Sequence, residues 1–167
     1  MSDSVEIAPG ELSPFEPELK AILSSLHGHL TGLNGEIFYV LRECNNANIP
    51  ADVADRITKV FEAFFGTVQH DVRAEVLNLE DKLGLRPGLK PYDPDIKNPD
   101  PRVTIGFIRD WLHADFVDLD QLVKELKGNN ALGYILVSET GANMLNIHGD
   151  IVDGLRRIES ILSQHNR

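Results

Sequence analysis

Several features that would assign a location or a chemistry to this sequence are missing from it. The chain has a single cysteine, Cys44, so no disulfide can form within it, and a reducing compartment is the simplest setting. It has no run of about 18 uninterrupted apolar residues, and its first residues lack the charged and apolar segments of a signal peptide. We therefore expect a cytoplasmic protein that does not span a membrane.

Motifs for phosphate binding and for nucleophilic catalysis are also missing. The sequence contains no Gly-rich phosphate loop, no paired-cysteine motif and no Gly-x-Ser-x-Gly turn. Basic residues are few, because 16 lysines and arginines stand against 26 aspartates and glutamates, which gives a net charge of −10. A charge of this sign repels nucleic-acid phosphate and anionic lipid. We expect no nucleic-acid partner, no membrane partner and no cofactor, and enzymatic activity is not favoured.

Apolar residues at three- and four-residue steps are what the sequence does contain, and this spacing is typical of amphipathic helices. In the first such segment the apolar face consists of Leu19, Ile22, Leu23, Leu26, Leu30, Leu33, Ile37, Val40 and Leu41. The spacing predicts helices over about 16–43, 51–83, 102–127 and 131–164. No segment alternates for long with the two-residue period of a strand.

The segments between these helices predict the topology. Short links at 44–50 and 128–130 make consecutive helices antiparallel, whereas the stretch 86–101 holds five prolines and predicts an extended loop. Residues 1–14 mix acidic residues with proline and glycine and predict a flexible arm. We expect an all-α fold, an elongated antiparallel up-down-up-down four-helix bundle that forms a single domain over residues 15–167.

Small residues in the first and fourth helices predict an interface. Gly28, Gly32 and Gly35 interrupt a helical stretch, where each costs about 1 kcal/mol relative to alanine. They lie opposite the large apolar residues, where small side chains let another helix approach closely. The predicted interface also includes Ala21, Ser24, Ser25, Ser138, Ala142 and Gly149. A symmetric homodimer is the simplest assembly that uses such a face.

Histidines on all four helices suggest a metal centre as one alternative function. Facing helices of a bundle can supply inward ligands, and the candidates are His148 and His113 with Asp71 and Glu75. The two carboxylates project toward the apolar side of the second helix, where a buried carboxylate must be paired or protonated. The paired Glu-x-x-His motifs of di-iron bundles are absent from the sequence.

A ribonuclease is a second alternative. The stretch Arg109-Asp110-Trp111-Leu112-His113 resembles the Arg and His motif of HEPN-type ribonucleases, which are helical bundles. The resemblance implies RNA cleavage through Arg109 and His113. Three residues separate the two here, fewer than in that family, and the acidic chain would repel RNA.

The acidic composition and the missing catalytic motifs favour an interaction protein over both alternatives. Complementary charge speeds association with a partner and makes it sensitive to salt. We expect a non-enzymatic helical bundle of the inhibitor, immunity, adaptor or chaperone type, which self-associates and binds a protein partner with a basic surface.

Overall fold

The computed structural model describes residues 12–46, 48–85, 100–128 and 130–165 of the chain. Five α-helices cover most of them: α1 (Glu16–Asn46), α2 (Ala51–Gly66), α3 (Arg73–Lys82), α4 (Pro101–Leu126) and α5 (Ala131–His165). A π-helical segment, Thr67–Val72, joins α2 to α3 without leaving the helical region of backbone angles, so the three form one rod. Four rods therefore pack together, and the described residues contain no strand. The predicted all-α helical bundle is confirmed.

Each rod runs antiparallel to its neighbours around the bundle, as the contacts between them show. Along each pair of neighbouring rods, contacts that come later in one rod come earlier in the other, which is the up-down-up-down arrangement. The pairs that fix these directions are Phe38–Phe65 and His27–Glu80 for α1 with the α2–α3 rod, Arg56–Glu125 and Lys82–Thr104 for that rod with α4, Arg109–Glu159 and Phe116–His148 for α4 with α5, and Arg157–Glu18 for α5 with α1. At 1.5 Å per residue, α1 is about 46 Å long and α5 about 52 Å.

The core lies between the four rods and contains the apolar residues that the spacing predicts. On α1 the fully buried side chains include Leu19, Leu30, Leu33, Ile37 and Val40. Leu12 is also buried, only 2 % exposed, and the helical turn Ser13–Phe15 follows it. Within the flexible arm predicted over 1–14, Leu12 thus packs against the bundle, whereas Ser13 and Pro14 are exposed. Its other residues lie outside the described part of the chain.

Local signals at the helix ends agree with this architecture. Asp100 caps α4 by accepting a hydrogen bond of 2.9 Å from the backbone N–H of Arg102, and Pro101 occupies the first helical position. Gly84 and Gly128 have φ angles of 73° and 84°, the left-handed conformation that ends many helices. Of the Pro-rich loop predicted over 86–101, Pro101 is the first residue of α4 and Asp100 is its N-cap, and residues 86–99 lie outside the described part of the chain. Nowhere in the described ranges is a helix both long enough and apolar enough to cross a membrane.

Candidate functional site

The rod between α2 and α3 changes pitch at the π-helical segment Thr67–Val72. Its buried residues Phe64, Val68, Val72 and Val76 follow one another at three successive four-residue steps. In an α-helix each such step rotates the side chain by about 40°, which would carry the last of them out of the core. The i→i+5 hydrogen bonds of a π turn place more residues in each turn and keep all four facing inward. π-helical segments are rare in proteins, and those that occur often lie at functional sites.

Asp115 of α4 lies opposite this segment and is a buried carboxylate, 8 % exposed. Its Oδ1 accepts a hydrogen bond of 3.3 Å from Thr67 Oγ1, whereas its Oδ2 has no partner among the described residues. Burial, together with the smaller effects of the charges of Asp118 and Asp71, raises the pKa of Asp115 to about 7, against the opposing effect of the Thr67 hydrogen bond. A substantial fraction of Asp115 is therefore protonated near neutral pH, where an ordinary aspartate is ionised.

A groove of about 290 Å³ runs between α2 and α4, and Asp115 lies at one end of it. The other residues that line it are Arg56, Lys59, Val60, Ala63, Asp118 and Gln121. Arg56 is engaged by Glu125 through two hydrogen bonds of 3.0 and 2.9 Å. Lys59 forms no ion pair with any residue that the structure describes. The groove thus combines a buried acid with an unpaired lysine.

A second groove, of about 350 Å³, lies between α4 and α5 and is mainly apolar. It is lined by Phe116, Leu119, Asp120, Val123, Ser138, Gly141, Ala142 and Leu145. The two helices lie close together at Gly141, where a Cβ would be in ordinary van der Waals contact, 3.6 Å, with Leu119 Cδ2. Leu145 is 56 % exposed at its edge, which leaves a large apolar side chain in water. Two of the predicted interface residues, Ser138 and Ala142, belong to this groove.

The histidines of the metal hypothesis lie near each other at the junction of α4 and α5. His148 stacks on Phe116, with ring centroids 4.5 Å apart and an interplanar angle of 24°. Burial lowers the pKa of His148, and the charge of His113 lowers it further. His113 itself is exposed.

The carboxylates of that hypothesis point elsewhere. Asp71 is half-buried near Asp115, while Glu75 accepts a hydrogen bond of 2.9 Å from Asn78 Nδ2. Within the described ranges, no three side chains of the His, Cys, Asp and Glu types are placed so that they could hold a metal ion. The arrangement gives the metalloprotein alternative no support.

The ribonuclease alternative rests on Arg109 and His113 of α4. Arg109 donates two hydrogen bonds to Glu159 of α5, one of them 3.0 Å long, so its guanidinium is occupied within the bundle. His113 lies one turn further along α4 and is exposed. Neither residue lines the grooves described above.

Most of the small-residue face that the sequence predicts as an interface is exposed. A Cβ added at Gly28, Gly35 or Gly149 would meet no atom within 4 Å. Gly32 differs, because a Cβ there would lie 3.5 Å from Ile147 Cδ1, a contact with α5 inside the protomer. Of the other residues on the face, Ser138 is half-buried, and the exposed ones are Ala21, Ser24, Ser25 and Ala142.

The sequence patterns did not identify Asp115 or Leu145 as candidate residues, although the position of Asp115 in the sequence is informative. Asp115 follows Leu112 by three residues and precedes Leu119 by four, so it lies within the apolar face of α4. A charged residue within such a face is informative, because burying it without a partner is costly. Leu145 leaves no comparable signal, since single exposed apolar residues are common.

Comparisons of the chain with protein-family models, with curated proteins and with solved structures found no match in any of the three. The two grooves and the exposed apolar side chains are the features of the described residues that bear on function.

Proposed function

We propose that the protein is a non-enzymatic interaction protein, of the inhibitor, immunity, adaptor or chaperone type, that binds a basic amphipathic helix of a protein partner. The apolar groove between α4 and α5 is the observation that carries this proposal. Leu145, at 56 % exposure, is the most exposed of the large apolar side chains in the described residues, and it borders a groove whose walls include Phe116 and Val123. Apolar grooves between helices accept the apolar face of another helix.

Charge supports a basic partner. The chain carries a net charge of −10, and Asp120 lines the groove itself. Lys124 pairs with Asp120 at 2.9 Å but both side chains are largely exposed, so the attraction between them is weak in water. A partner helix with lysine or arginine beside its apolar face would be steered toward this surface, and its on-rate would fall as salt rises.

Self-association is the second part of the proposal, and it uses the outer face of α1. Gly35 lines a shallow groove of about 470 Å³ together with Phe38 and Tyr39. These two aromatic side chains are 54 % and 44 % exposed. Apolar side chains beside an open glycine allow a second copy of α1 to pack closely, as a symmetric dimer requires.

Binding of a synthetic amphipathic helix made of leucine and lysine tests the groove, with fluorescence anisotropy as the measurement. We expect saturable binding that weakens as salt rises, and no binding of the matched helix made of leucine and glutamate. Leu145→Asp should abolish binding by placing a charge in the apolar groove, although it makes the protein more acidic. Leu132→Asp is the matched control, because Leu132 is 51 % exposed on the same helix and does not line the groove.

Equal effects of the two substitutions would contradict the assignment of the groove. Equal binding of the lysine and glutamate helices would contradict the role of charge. Either result would remove the basic helix as the partner of this surface.

A further inference from the structure

Asp115 of α4 contacts the π-helical segment Thr67–Val72 at the first residue of the segment. The Asp115 carboxyl is 8 % exposed, and its Oδ1 accepts a hydrogen bond of 3.3 Å from the hydroxyl of Thr67. Its second oxygen, Oδ2, is buried without a partner among the described residues. An ionised carboxylate in this position therefore has one donor, where a buried charge requires several.

The charges nearest to this carboxyl are of its own sign. Asp118 lies about one turn further along α4, and Asp71 belongs to the π-helical segment itself. Burial raises the pKa of Asp115 most, and the charges of Asp118 and Asp71 add to this effect. Ionisation of Asp115 thus places it in repulsion with the segment that it contacts.

The cations and the histidine on neighbouring helices offer the carboxylate little compensation. Lys59 of α2 lines the groove that ends at Asp115, but it lies eight residues, about 12 Å along the rod, before the π-helical segment begins. Arg56 is engaged by two hydrogen bonds to Glu125. On α5, burial lowers the pKa of His148, so its ring is largely neutral at pH 7.

We propose that this contact is a pH-sensitive switch, in which the ionised Asp115 carboxylate drives the segment Thr67–Val72 away from α4. The Thr67 hydroxyl cannot satisfy the buried charge alone, because it also faces the backbone oxygen of Ala63 at 3.1 Å. Asp71 moves with the segment, so opening relieves its repulsion with Asp115. Opening also lets water reach the carboxylate, which removes the cost of its burial.

The direction of the switch follows from the pKa of Asp115 in the two forms. In the closed segment this pKa is raised to about 7, and in the open segment, where water reaches the carboxyl, it returns to 3.8. The closed form is favoured most below about pH 4, and its advantage is lost as the pH rises to about 7, by about tenfold in the opening equilibrium for each pH unit. Between about pH 5 and about pH 8, opening should become about a hundredfold more favourable.

Hydrogen exchange of the backbone amides of Thr67–Val72, measured by NMR at about pH 5 and about pH 8, tests the switch. After correction for the intrinsic effect of pH on exchange, the protection of these amides should fall about a hundredfold between the two conditions. Equal protection at the two pH values would overturn the proposal, because the segment would then stay closed while Asp115 ionises.

Asp115→Asn identifies the group that is responsible. Asparagine keeps the size of the side chain and cannot ionise, so the protection of the segment should no longer depend on pH. Asp120→Asn is the control, because it removes an exposed acid of the same helix, and it should keep the hundredfold change. His70→Gln should also keep it, and this variant tests the exposed histidine of the segment as another source of pH dependence. A pH dependence that survives Asp115→Asn, or that disappears in His70→Gln, would overturn the assignment to Asp115.

Urea separates opening of the segment from unfolding of the whole bundle. Local opening exposes little surface, so exchange in the segment at about pH 8 should not depend on low concentrations of urea. Exchange of the backbone amide of Met144, whose side chain is fully buried on α5, should accelerate with urea. An equal dependence on urea at both places would show that the bundle unfolds as one unit, and it would overturn the switch.

Discussion

Thr67 Oγ1 lies 3.3 Å from Asp115 Oδ1 and 3.1 Å from the backbone oxygen of Ala63, so one hydroxyl hydrogen faces two acceptors. When Asp115 is ionised, the hydroxyl can donate to only one of them at a time. Sharing the donor weakens the hydrogen bond that Thr67 gives to the ionised carboxylate. That hydrogen bond lowers the pKa of Asp115, but burial outweighs it and raises the pKa to about 7.

Asp115→Asn should make the folded protein more stable at alkaline pH. Because the pKa of Asp115 is raised from 3.8 to about 7 in the folded state, its contribution to stability is fully present below pH 4 and is lost as the pH rises through 7. A rise of this size corresponds to at most about 4 kcal/mol of unfolding free energy. Asparagine keeps the shape and cannot ionise, so urea unfolding should show its advantage growing from pH 4 to pH 8.

The difference between the two proteins isolates Asp115, since the other titrating groups are present in both. A difference in unfolding free energy that stays constant from pH 4 to pH 8 would show that Asp115 ionises as an ordinary exposed aspartate.

Thr67→Val should raise the pKa of Asp115 above its value in the native protein. The threonine hydrogen bond stabilises the ionised carboxylate, and valine has the same shape without the donor. NMR titration of the Asp115 carboxyl carbon measures the change directly. Ser138→Ala removes a hydroxyl on α5 that donates to Ile135 O, so it serves as a control that should leave this titration unmoved. A pKa that fell, or that stayed unchanged, in Thr67→Val would contradict the assigned hydrogen bond.

His148 should contribute to stability with the opposite dependence on pH. Its pKa is lowered by burial and by the charge of His113, so the folded state disfavours the charged imidazolium. The stability that it supports is present above its ordinary pKa of 6.5 and is lost as the pH falls through the lower folded value. In urea unfolding, the free energy of unfolding of His148→Leu should therefore increase relative to that of the native protein as the pH falls from 7 to 5. Parallel stability curves over this range would contradict the lowered pKa.

The spans of the helices could be predicted because they depend on spacing within the chain. The fourth predicted helix, 131–164, differs by one residue from α5, which ends at His165. Apolar residues at steps of three and four specify which face is buried, and that face determines how far each helix continues. Glycines and prolines then specify the ends, as at Gly84 and Pro101.

The candidate sites could not be predicted in the same way, because they depend on residues of two different rods that lie at the same height along the bundle axis. The unbroken helix predicted over 51–83 contained the signal for the π-helical segment, in the four-residue steps from Phe64 to Val76. Such steps also occur in α-helices whose apolar face winds slowly around the axis. Whether the chain forms a π-helical segment or a continuous α-helix is seen only in the packing of that rod against α4. The same packing places Thr67 next to Asp115.

Lys82 and Thr104 should show strong coupling in unfolding experiments. Lys82 is buried, and its Nζ donates a hydrogen bond to Thr104 Oγ1. Thr104→Val removes the acceptor and leaves a buried ammonium, which should cost about 1–3 kcal/mol. Lys82→Met in the same protein removes the donor as well, so the double variant should be less destabilised than the sum of the two single variants. Additive effects would show that the two side chains do not depend on each other.

Gly35→Leu should separate the stability of the protomer from its self-association. A side chain at Gly35 meets no atom within 4 Å in the protomer, and replacing a glycine within a helix stabilises it by about 0.5–1 kcal/mol. If two copies of α1 pack through this face, the added leucine blocks their approach, so native mass spectrometry should show dimer for the native protein and monomer for Gly35→Leu. Gly106→Leu on α4 is the control. A Cβ added at Gly106 also meets no atom within 4 Å, and Gly106 lies outside the proposed interface. A native protein that is monomeric, or a dimer that survives Gly35→Leu, would show that this face does not join two copies.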